Sequence, residues 1–293
     1  MPPKINKLVY IAGYSRSGST VLDILLGDHG DIFSCGELTY YFQDAQNPSR
    51  LCACGAQYQN CEIWSAVSSD LPDAEATLRK VESRGFSKVN ATSKARYAKL
   101  MKPFLTQVRA ASDCRVLIDS SKNAKDAAFR LGALNDIAGE QVYVIHLVRD
   151  CFSTIGSYHA NGSNWVQEGY GEEKSFLLLR STIGWLLANL IAWRHGRQYP
   201  YLRIRQQDFL HDPIQVLKKI SAFIDEDLSD VIQKVEASEL FYAGHNVGGN
   251  RVRKEGVQIR SQTVSDAKVP FYSKLFAYLC GAKLLERILL APS

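Results

Sequence analysis

The sequence predicts a single α/β domain, spanning residues 1–293, in which a parallel sheet of roughly five strands lies between layers of helices. Short β-rich runs alternate with longer helical patterns, which is the arrangement expected when helices connect parallel strands. Several of these runs are almost wholly apolar, as in strands that are buried on both faces. With 293 residues, 46% of them hydrophobic, the chain can form a large core. It contains no internal repeat or linker that would divide it.

The individual elements can be assigned in order along the chain. Strands are predicted at residues 7–13, 116–119, 141–148 and 201–204, with a weaker one at 31–35. Helices are predicted at residues 19–26, 123–134 and 176–193, and from Pro213 onward. Asp212 is a suitable N-cap for that last helix, and proline is favoured at the first helical position. Residues 43–60 and 161–174 are predicted to be loops.

The charge balance excludes some classes of partner. The net charge of +5 is modest for 293 residues, and it fits an anionic ligand better than a nucleic acid. The apolar stretch 176–193 contains Arg180, so a buried helix is expected rather than a membrane span. The first residues lack the apolar core of a signal peptide. We therefore expect a cytoplasmic protein with no membrane span and no nucleic-acid partner.

Residues 10–20 (YIAGYSRSGST) have the pattern of a phosphate-binding loop. A strand leads into a Gly/Ser-rich loop and then a helix, which directs backbone N–H groups and a helix N-terminus at one point. The nucleoside triphosphatase motif has a lysine where this chain has Ser19. The nearest cation is Arg16, whose guanidinium suits a sulfonate beside one phosphate and needs no metal. The alternative is an ordinary Gly/Ser turn of an α/β protein.

The segment RSGST resembles the 5′-phosphosulfate loop of the sulfotransferases that use 3′-phosphoadenosine-5′-phosphosulfate (PAPS), in which [RK]-S-G-[ST]-[ST] follows the first strand. The resemblance implies a P-loop-like three-layer fold. The chain resembles the bacterial small-molecule type of this family. Its loop and base segments are similar to those of tyrosyl-protein sulfotransferases. It implies that the 5′-phosphosulfate is bound by Arg16, Ser17, Gly18, Ser19 and Thr20.

Two further segments resemble the parts of this family that hold the 3′-phosphate. The run YVIHLVRD carries Arg149, and Ser157 follows eight residues later, about two helical turns away. An arginine paired with Asp150 is the alternative. Residues 245–256 resemble a late GN-x-x-R loop over the same phosphate, and the cations implied there are Arg251, Arg253 and Lys254. Gln206 departs from the family, which often has a tyrosine beside the adenine at this position.

Sulfonate transfer needs a base near the acceptor and positive charge near the leaving oxygen. Arg16 supplies charge in the loop, and Lys122 follows a strand at the sheet edge where α/β proteins bind ligands. Glu37, in FSCGELTYYF, resembles the glutamate that removes the acceptor proton in tyrosyl-protein sulfotransferases. The alternative base is His159, because histidine has this role in many other sulfotransferases. Glu37 would then only cap a turn or pair with Arg16.

The acceptor pocket is expected to be formed by aromatic and polar residues near these segments: Tyr40, Tyr41, Phe42, Tyr158, Asn161 and Trp165. Aromatic residues at such positions belong to the core more often than to a pocket, and this is the alternative interpretation.

Three cysteines lie within one short segment, LCACGAQYQNCEIW: Cys52, Cys54 and Cys61. A structural zinc needs four ligands, and Cys35 is the nearest fourth cysteine in the sequence. A disulfide or redox role and free thiols that order a loop are the other interpretations. The last is favoured, so no metal site is predicted.

These features together predict an enzyme of secondary metabolism that transfers the sulfonate of PAPS to a hydroxyl or amine of a small-molecule acceptor and releases 3′,5′-ADP. Two alternatives remain. A small-molecule kinase would bind Mg-ATP, and Ser19 argues against it. A catalytically inactive nucleotide-binding protein would keep Arg149 and Ser157 but would not need Glu37.

Overall fold

Five parallel strands form the central sheet, in the spatial order β2-β3-β1-β4-β5. The computed structural model describes residues 6–67, 73–83, 88–122, 127–162, 166, 172, 175–248, 251–259 and 268–291, with the side chain of Arg251 excepted. The strands of the central sheet are β1 (Lys7–Gly13), β2 (Ile32–Ser34), β3 (Val116–Asp119), β4 (Val142–Val148) and β5 (Tyr201–Arg205). A small antiparallel pair consists of β6 (Leu240–Phe241) and β7 (Val257–Gln258).

Helices connect the strands. They are α1 (Ser19–Leu26), α2 (Tyr41–Asp44), α3 (Ala74–Glu82), α4 (Ala91–Ser112), α5 (Arg130–Gly132), α6 (Cys151–Asn161), α7 (Leu177–Gly196), α8 (Gln206–His211), α9 (Pro213–Ile224), α10 (Ser229–Glu236), α11 (Phe271–Leu279) and α12 (Ala282–Leu290). A π-helical segment, Ala133–Ile137, continues α5. Short 3₁₀ segments occupy Leu38–Tyr40, Tyr58–Asn60, Trp64–Ala66 and Arg251–Lys254.

Strand β1 shows how the three layers are held together. All of its residues are buried, and successive side chains point to opposite faces of the sheet. Leu8 and Tyr10 belong to the apolar cluster that includes α4. Val9 and Ile11 belong to the cluster that includes α1 and α9 on the other face. A third apolar cluster joins α6, α7, α11 and α12.

The fold confirms the predicted class, and the predicted strands are present to within two residues. Helix α9 begins as expected, because Asp212 Oδ1 accepts a hydrogen bond of 2.9 Å from Gln215 N and Pro213 is the first helical residue. The helical stretch predicted over 123–134 is present only in part: α5 begins at Arg130 and continues into the π-helical segment, and residues 123–126 lie outside the described residues. None of the helices in the described ranges is long and apolar enough to cross a membrane.

Candidate functional site

The predicted functional segments follow the strands at one edge of the sheet. Gly13 of β1 pairs with Leu147 near the end of β4, and parallel strands present their carboxyl ends on the same side. The loop 14–18 leaves β1 at this edge, Lys122 comes shortly after β3, and Arg149 comes directly after β4. α/β proteins bind ligands in the crevice at this edge.

The loop after β1 has the backbone of an anion-binding turn. At Gly13, with φ of 131°, an added Cβ would lie 2.6 Å from the carbonyl oxygen of Leu147, so only glycine fits. Arg16 and Gly18 also have left-handed φ values, 69° and 90°, and Gly18 is the N-cap of α1. Loops of this shape, together with a helix N-terminus, bind phosphate or sulfate groups.

Two arginines are connected at this loop. Arg16 Nη2 donates to the carbonyl oxygen of Gly162 over 2.9 Å, and its guanidinium lies 5.8 Å from the centre of the Tyr158 ring. Arg149 Nη1 donates to the carbonyl oxygen of Arg16 over 2.8 Å. The structure therefore joins the end of β4 to the loop after β1.

Arg149 has no carboxylate partner in an ion pair among the described residues. Asp150 instead caps α6, because its Oδ1 accepts 2.7 Å from Ser153 N. Burial lowers the pKa of Arg149, although the charge of Asp150 opposes this effect. The Ser17 hydroxyl is also buried without a hydrogen-bond partner in the described structure. A partly buried cation with no carboxylate ion-pair partner among the described residues, and a buried hydroxyl beside an anion-binding turn, are features that an anionic ligand would satisfy.

Two side chains of α7 form hydrogen bonds with the end of β4 and the residue that follows it. Trp185 Nε1 donates to the carbonyl oxygen of Arg149 over 2.9 Å. One turn later, Asn189 Oδ1 lies 2.9 Å from His146 Nε2, and burial lowers the pKa of His146 to about 4. Ser157, on α6, is partly buried. Trp185 and Asn189 thus position the end of β4, which Arg149 directly follows.

Glu37 and Lys122 form an ion pair at the same edge. Lys122 Nζ donates to Glu37 Oε1, and both side chains are largely buried. Lys122 adopts a left-handed backbone conformation with φ of 64°, and its carbonyl oxygen accepts from the hydroxyl of Tyr10. A small cleft of about 60 Å³ lies between the loop, Lys122 and Val252. The structure therefore brings the predicted base, the predicted lysine and the phosphate loop together.

A buried ionic network supports the segment before Lys122. Asp119 Oδ2 accepts 2.7 Å from Arg130 Nε, and Ser121 N donates to Asp119 Oδ1 over 2.9 Å. Arg130 also pairs with Glu82, whose Oε1 accepts 2.8 Å from the hydroxyl of Tyr97. Burial raises the pKa of Glu82. The network fixes the end of β3, from which the lysine projects.

Sequence reasoning missed Asp23, which lies on α1 one turn after the phosphate loop. It is fully buried and accepts hydrogen bonds from Ser34 Oγ at 2.5 Å, Ser120 Oγ at 2.6 Å and Asn246 Nδ2 at 3.3 Å. Burial raises its pKa to about 7. A carboxyl group within the apolar helix STVLDILL was the available signal.

The late loop approaches Glu37 through its backbone. Val247 N donates to the carbonyl oxygen of Cys35 over 2.9 Å, and Glu37 N donates to that of Val247 over 2.7 Å. Arg253 is buried, and its Nη1 donates to the carbonyl oxygen of Asn246 over 3.2 Å. Lys254 is exposed, and the side chain of Arg251 lies outside the described residues.

The expected acceptor pocket needs correction. Tyr41 and Phe42 are core residues that pack against Phe104, with ring centres 5.0 Å away in each case. Apolar neighbours cover both side chains, which are almost fully buried. Tyr40 is partly buried, and Tyr158 is buried with its ring centre 6.0 Å from that of Tyr14.

The remaining candidates lie at the end of α6. His159 and Asn161 are exposed, and Asn161 Nδ2 donates to the carbonyl oxygen of Ser157 over 3.1 Å. No hydrogen bond or ion pair joins His159 to another described residue, so its role as a base stays a prediction. Trp165 lies outside the described residues.

The cysteine segment meets a histidine that the sequence analysis did not consider. His245 contributes the fourth ligand-type atom to the group formed with Cys52, Cys54 and Cys61. The suggestion of Cys35 as a fourth ligand is wrong, since Cys35 is not part of this group.

Comparison with known proteins agrees with this geometry. The profile of the sulfotransferase family matches residues 9–230, which is most of the chain. The chain belongs to the sulfotransferase family. Its fold is similar to that of a sulfotransferase domain from the curacin biosynthetic pathway, with a TM-score of 0.56, 17% identity, and coverage of 96% of this chain and 98% of that one.

A second similar structure is the sulfotransferase domain of the Synechococcus PCC 7002 olefin synthase. Its TM-score is 0.50 at 18% identity, and the match covers 96% of this sulfotransferase and 97% of that domain. No curated protein sequence matches the chain significantly.

Proposed function

We propose that this sulfotransferase moves the sulfonate group of PAPS to a hydroxyl or amine of a small-molecule acceptor, with Glu37 as the base, and releases 3′,5′-ADP. The observation that carries the proposal is the loop after β1. It has the shape of a phosphate-binding loop, and Ser19 replaces the lysine that a triphosphate needs. Arg149 donates a hydrogen bond to this loop and has no carboxylate ion-pair partner among the described residues.

The distribution of cations supports a ligand with two anionic ends. Arg16 lies in the turn that would hold the 5′-phosphosulfate, while Arg149 and Ser157 follow β4, where the 3′-phosphate would lie. Arg253 comes from a third segment and would add to the 3′-phosphate contacts. Gln206 takes the place of the usual tyrosine and lies against the loop. Its Cγ would be 3.7 Å from a Cβ atom if Gly18 carried one. It would border the adenine side of the site.

The pairing of Glu37 with Lys122 supports the proposed chemistry. The acceptor oxygen or nitrogen attacks sulfur, its proton moves to the Glu37 carboxylate, and the bond between sulfur and the 5′-phosphate oxygen breaks. Lys122, whose Nζ donates to Glu37 Oε1, would turn to the sulfonate and the leaving oxygen. Arg16 would neutralise the charge that develops on the same phosphate. No step in this scheme needs a metal ion.

The experiment that tests this proposal combines binding with turnover. The melting temperature should rise when 3′,5′-ADP is added. At a ligand concentration of a hundred times the dissociation constant, binding should add about 2.7 kcal/mol to the free energy of unfolding. Mg-ATP should give no comparable rise. With PAPS and a panel of alcohols, phenols and amines, mass spectrometry should detect a product heavier by one SO₃ group.

Glu37→Gln keeps the size of the side chain and removes the base. Turnover should fall by about 100-fold or more, the usual contribution of a positioned base, while 3′,5′-ADP still raises the melting temperature. Glu239→Gln, at an exposed glutamate, is the control that should retain turnover. Stabilisation by Mg-ATP alone would overturn the PAPS assignment. Undiminished turnover in Glu37→Gln would leave His159 as the base to be tested.

A further inference from the structure

Four ligand-type side chains from two distant parts of the chain meet near the candidate site. They are three thiols and one imidazole, and their donor atoms all lie within 4.8 Å of one another: Cys52, Cys54, Cys61 and His245. We propose that this cluster binds one Zn²⁺ as a structural site. The proposal is independent of the sulfonate transfer described above, because none of the four side chains takes part in it.

The sulfur separations fit a tetrahedral metal centre. Cys61 Sγ lies 3.7 Å from Cys52 Sγ and 3.8 Å from Cys54 Sγ. Two thiolates on one tetrahedral zinc are about 3.8 Å apart, because each zinc–sulfur bond is about 2.3 Å long. His245 Nδ1 lies 3.1 Å from Cys61 Sγ, and the corresponding sulfur–nitrogen edge is about 3.5 Å. At this edge, metal binding requires a small outward shift of the imidazole, and all four donor atoms lie within 4.8 Å of one another.

A tight backbone turn places two of the thiols side by side. Cys52 N donates to the carbonyl oxygen of Ala56, and Gly55 N donates to that of Cys52, each over 2.9 Å. Gly55 has a left-handed φ of 88°, which the turn requires. Cys52 is buried and Cys54 is exposed, so the centre would lie just below the surface.

The backbone of His245 is held by a hydrogen bond, and its ring has a carboxylate nearby. Trp64, which is buried, donates its Nε1–H to the carbonyl oxygen of His245 over 2.5 Å. On the ring, Nε2 of His245 lies 4.0 Å from the carboxylate of Glu62. Histidine ligands usually direct their second ring nitrogen at a carboxylate or carbonyl, which fixes the tautomer and leaves the other nitrogen to bind the metal. Here that other nitrogen is Nδ1, the one that faces Cys61.

The donor set favours zinc. Three thiolates and one imidazole in a tetrahedral arrangement are typical of structural zinc sites, and four protein ligands leave no open position for catalysis. An iron–sulfur cluster distributes its four protein ligands over at least two iron atoms, so ligands on different irons lie farther apart than the 4.8 Å within which these four donor atoms lie. A disulfide would join two sulfurs at about 2.05 Å, and it would leave the third thiol and the imidazole without a function.

The metal would connect the cysteine segment to the late loop of the active site. Ala53 N already donates to the carbonyl oxygen of Asn246 over 3.2 Å. That same carbonyl accepts from Arg253, and the next residue, Val247, accepts from the backbone N–H of Glu37. Zinc on His245 would therefore hold the loop that carries the late phosphate-binding arginine and borders the base.

The first test measures the metal directly. The untagged full-length protein, purified without chelators, should contain about one zinc per chain by plasma mass spectrometry, as a single four-ligand site requires. Cys54→Ser should lose most of this zinc. Cys54 is the suitable ligand to replace because its side chain is exposed, and circular dichroism should show that the variant is folded. Cys280→Ser, at a cysteine outside the cluster, should keep the full zinc content.

The second test needs no variant. Cobalt exchanged into the wild-type protein should give the intense absorption of a tetrahedral cobalt–thiolate centre, and zinc should displace it. Wild-type protein that is folded but contains no stoichiometric zinc and gives no cobalt spectrum would overturn the proposal. A disulfide among the three cysteines in unreduced peptide maps, stoichiometric iron in place of zinc, or full zinc retention by a folded Cys54→Ser variant would overturn it as well.

Discussion

The buried carboxyl of Asp23 should make the stability of this sulfotransferase depend on pH in a defined direction. Its pKa in the folded protein is about 7, against 3.8 for a solvated aspartate, because burial disfavours the charged form. The protonated Asp23 carboxyl therefore favours the folded state. This contribution to the free energy of unfolding is fully present below about pH 4, where Asp23 is protonated in both the folded and the unfolded protein. It is lost as the pH rises through about 7, because the unfolded chain has already ionised.

The size of the effect follows from the two pKa values. A shift of about three units corresponds to about 4 kcal/mol in total, at about 1.4 kcal/mol per unit. Of this, about 2.5 kcal/mol is lost between pH 5 and pH 8, since the unfolded aspartate is already ionised at about pH 5. Asp23 is fully buried, so solvent screening does not reduce this figure.

The assay is urea unfolding of the wild type and of Asp23→Asn near pH 5 and near pH 8. The variant keeps the shape of the side chain and cannot ionise. We compare the free energy of unfolding of the wild type with that of the variant. The wild-type value minus the variant value should be about 2.5 kcal/mol smaller near pH 8 than near pH 5. Other buried groups, such as His146, titrate in both proteins and cancel in this difference.

Asp113→Asn is the matched control, because Asp113 is exposed. Its difference from the wild type should stay constant over the same pH range. If the Asp23→Asn difference also stays constant, the Asp23 carboxyl is not desolvated in the way the structure indicates, and the reasoning fails.

Two further predictions concern the arginines. Arg149→Ala should weaken binding of 3′,5′-ADP by about 10- to 100-fold in isothermal titration calorimetry, because a charge-assisted contact contributes about 1.5–3 kcal/mol. The control Arg194→Ala, at an exposed arginine, should bind 3′,5′-ADP as the wild type does. Equal affinities of Arg149→Ala and the wild type would argue against the phosphate role of Arg149. Arg130→Met should lower the free energy of unfolding by about 3–5 kcal/mol, because it leaves Asp119 and Glu82 as buried unpaired carboxylates. Adding Asp119→Asn and Glu82→Gln should restore part of the loss, and a variant as stable as the wild type would contradict the ionic role of the network.

The strands and the phosphate loop could be predicted because their signals are local. Strand β1 is a continuous apolar run, and the residues that turn the chain into α1 follow it directly. The helix predicted over 123–134 shows the limit of this reasoning. Its pattern is helical, but the position of Arg130 depends on Asp119 and Glu82, which come from β3 and α3. Tyr41 and Phe42 show the same limit, since only the fold reveals that they pack against Phe104.

The parts of the site that the sequence analysis missed depend on contacts across nearly the whole chain. Cys61 and His245 are separated by 184 residues, and Asp23 and Asn246 by 223. No spacing rule relates residues so far apart. The sequence analysis also did not predict the pairing of Lys122 with Glu37, although both residues follow neighbouring parallel strands, β3 and β2.

The segment 245–253 relates the proposed metal to the proposed chemistry. One end of it would be a zinc ligand, its middle contacts Asp23 and the backbone of Glu37, and its other end carries Arg253. The metal would therefore lie outside the reaction and still control the geometry of the late phosphate contacts. Loss of zinc should then reduce affinity for 3′,5′-ADP more than it disturbs the loop after β1. That loop is fixed independently, by the close approach of Gly13 to Leu147 and by the bond from Arg149 to Arg16.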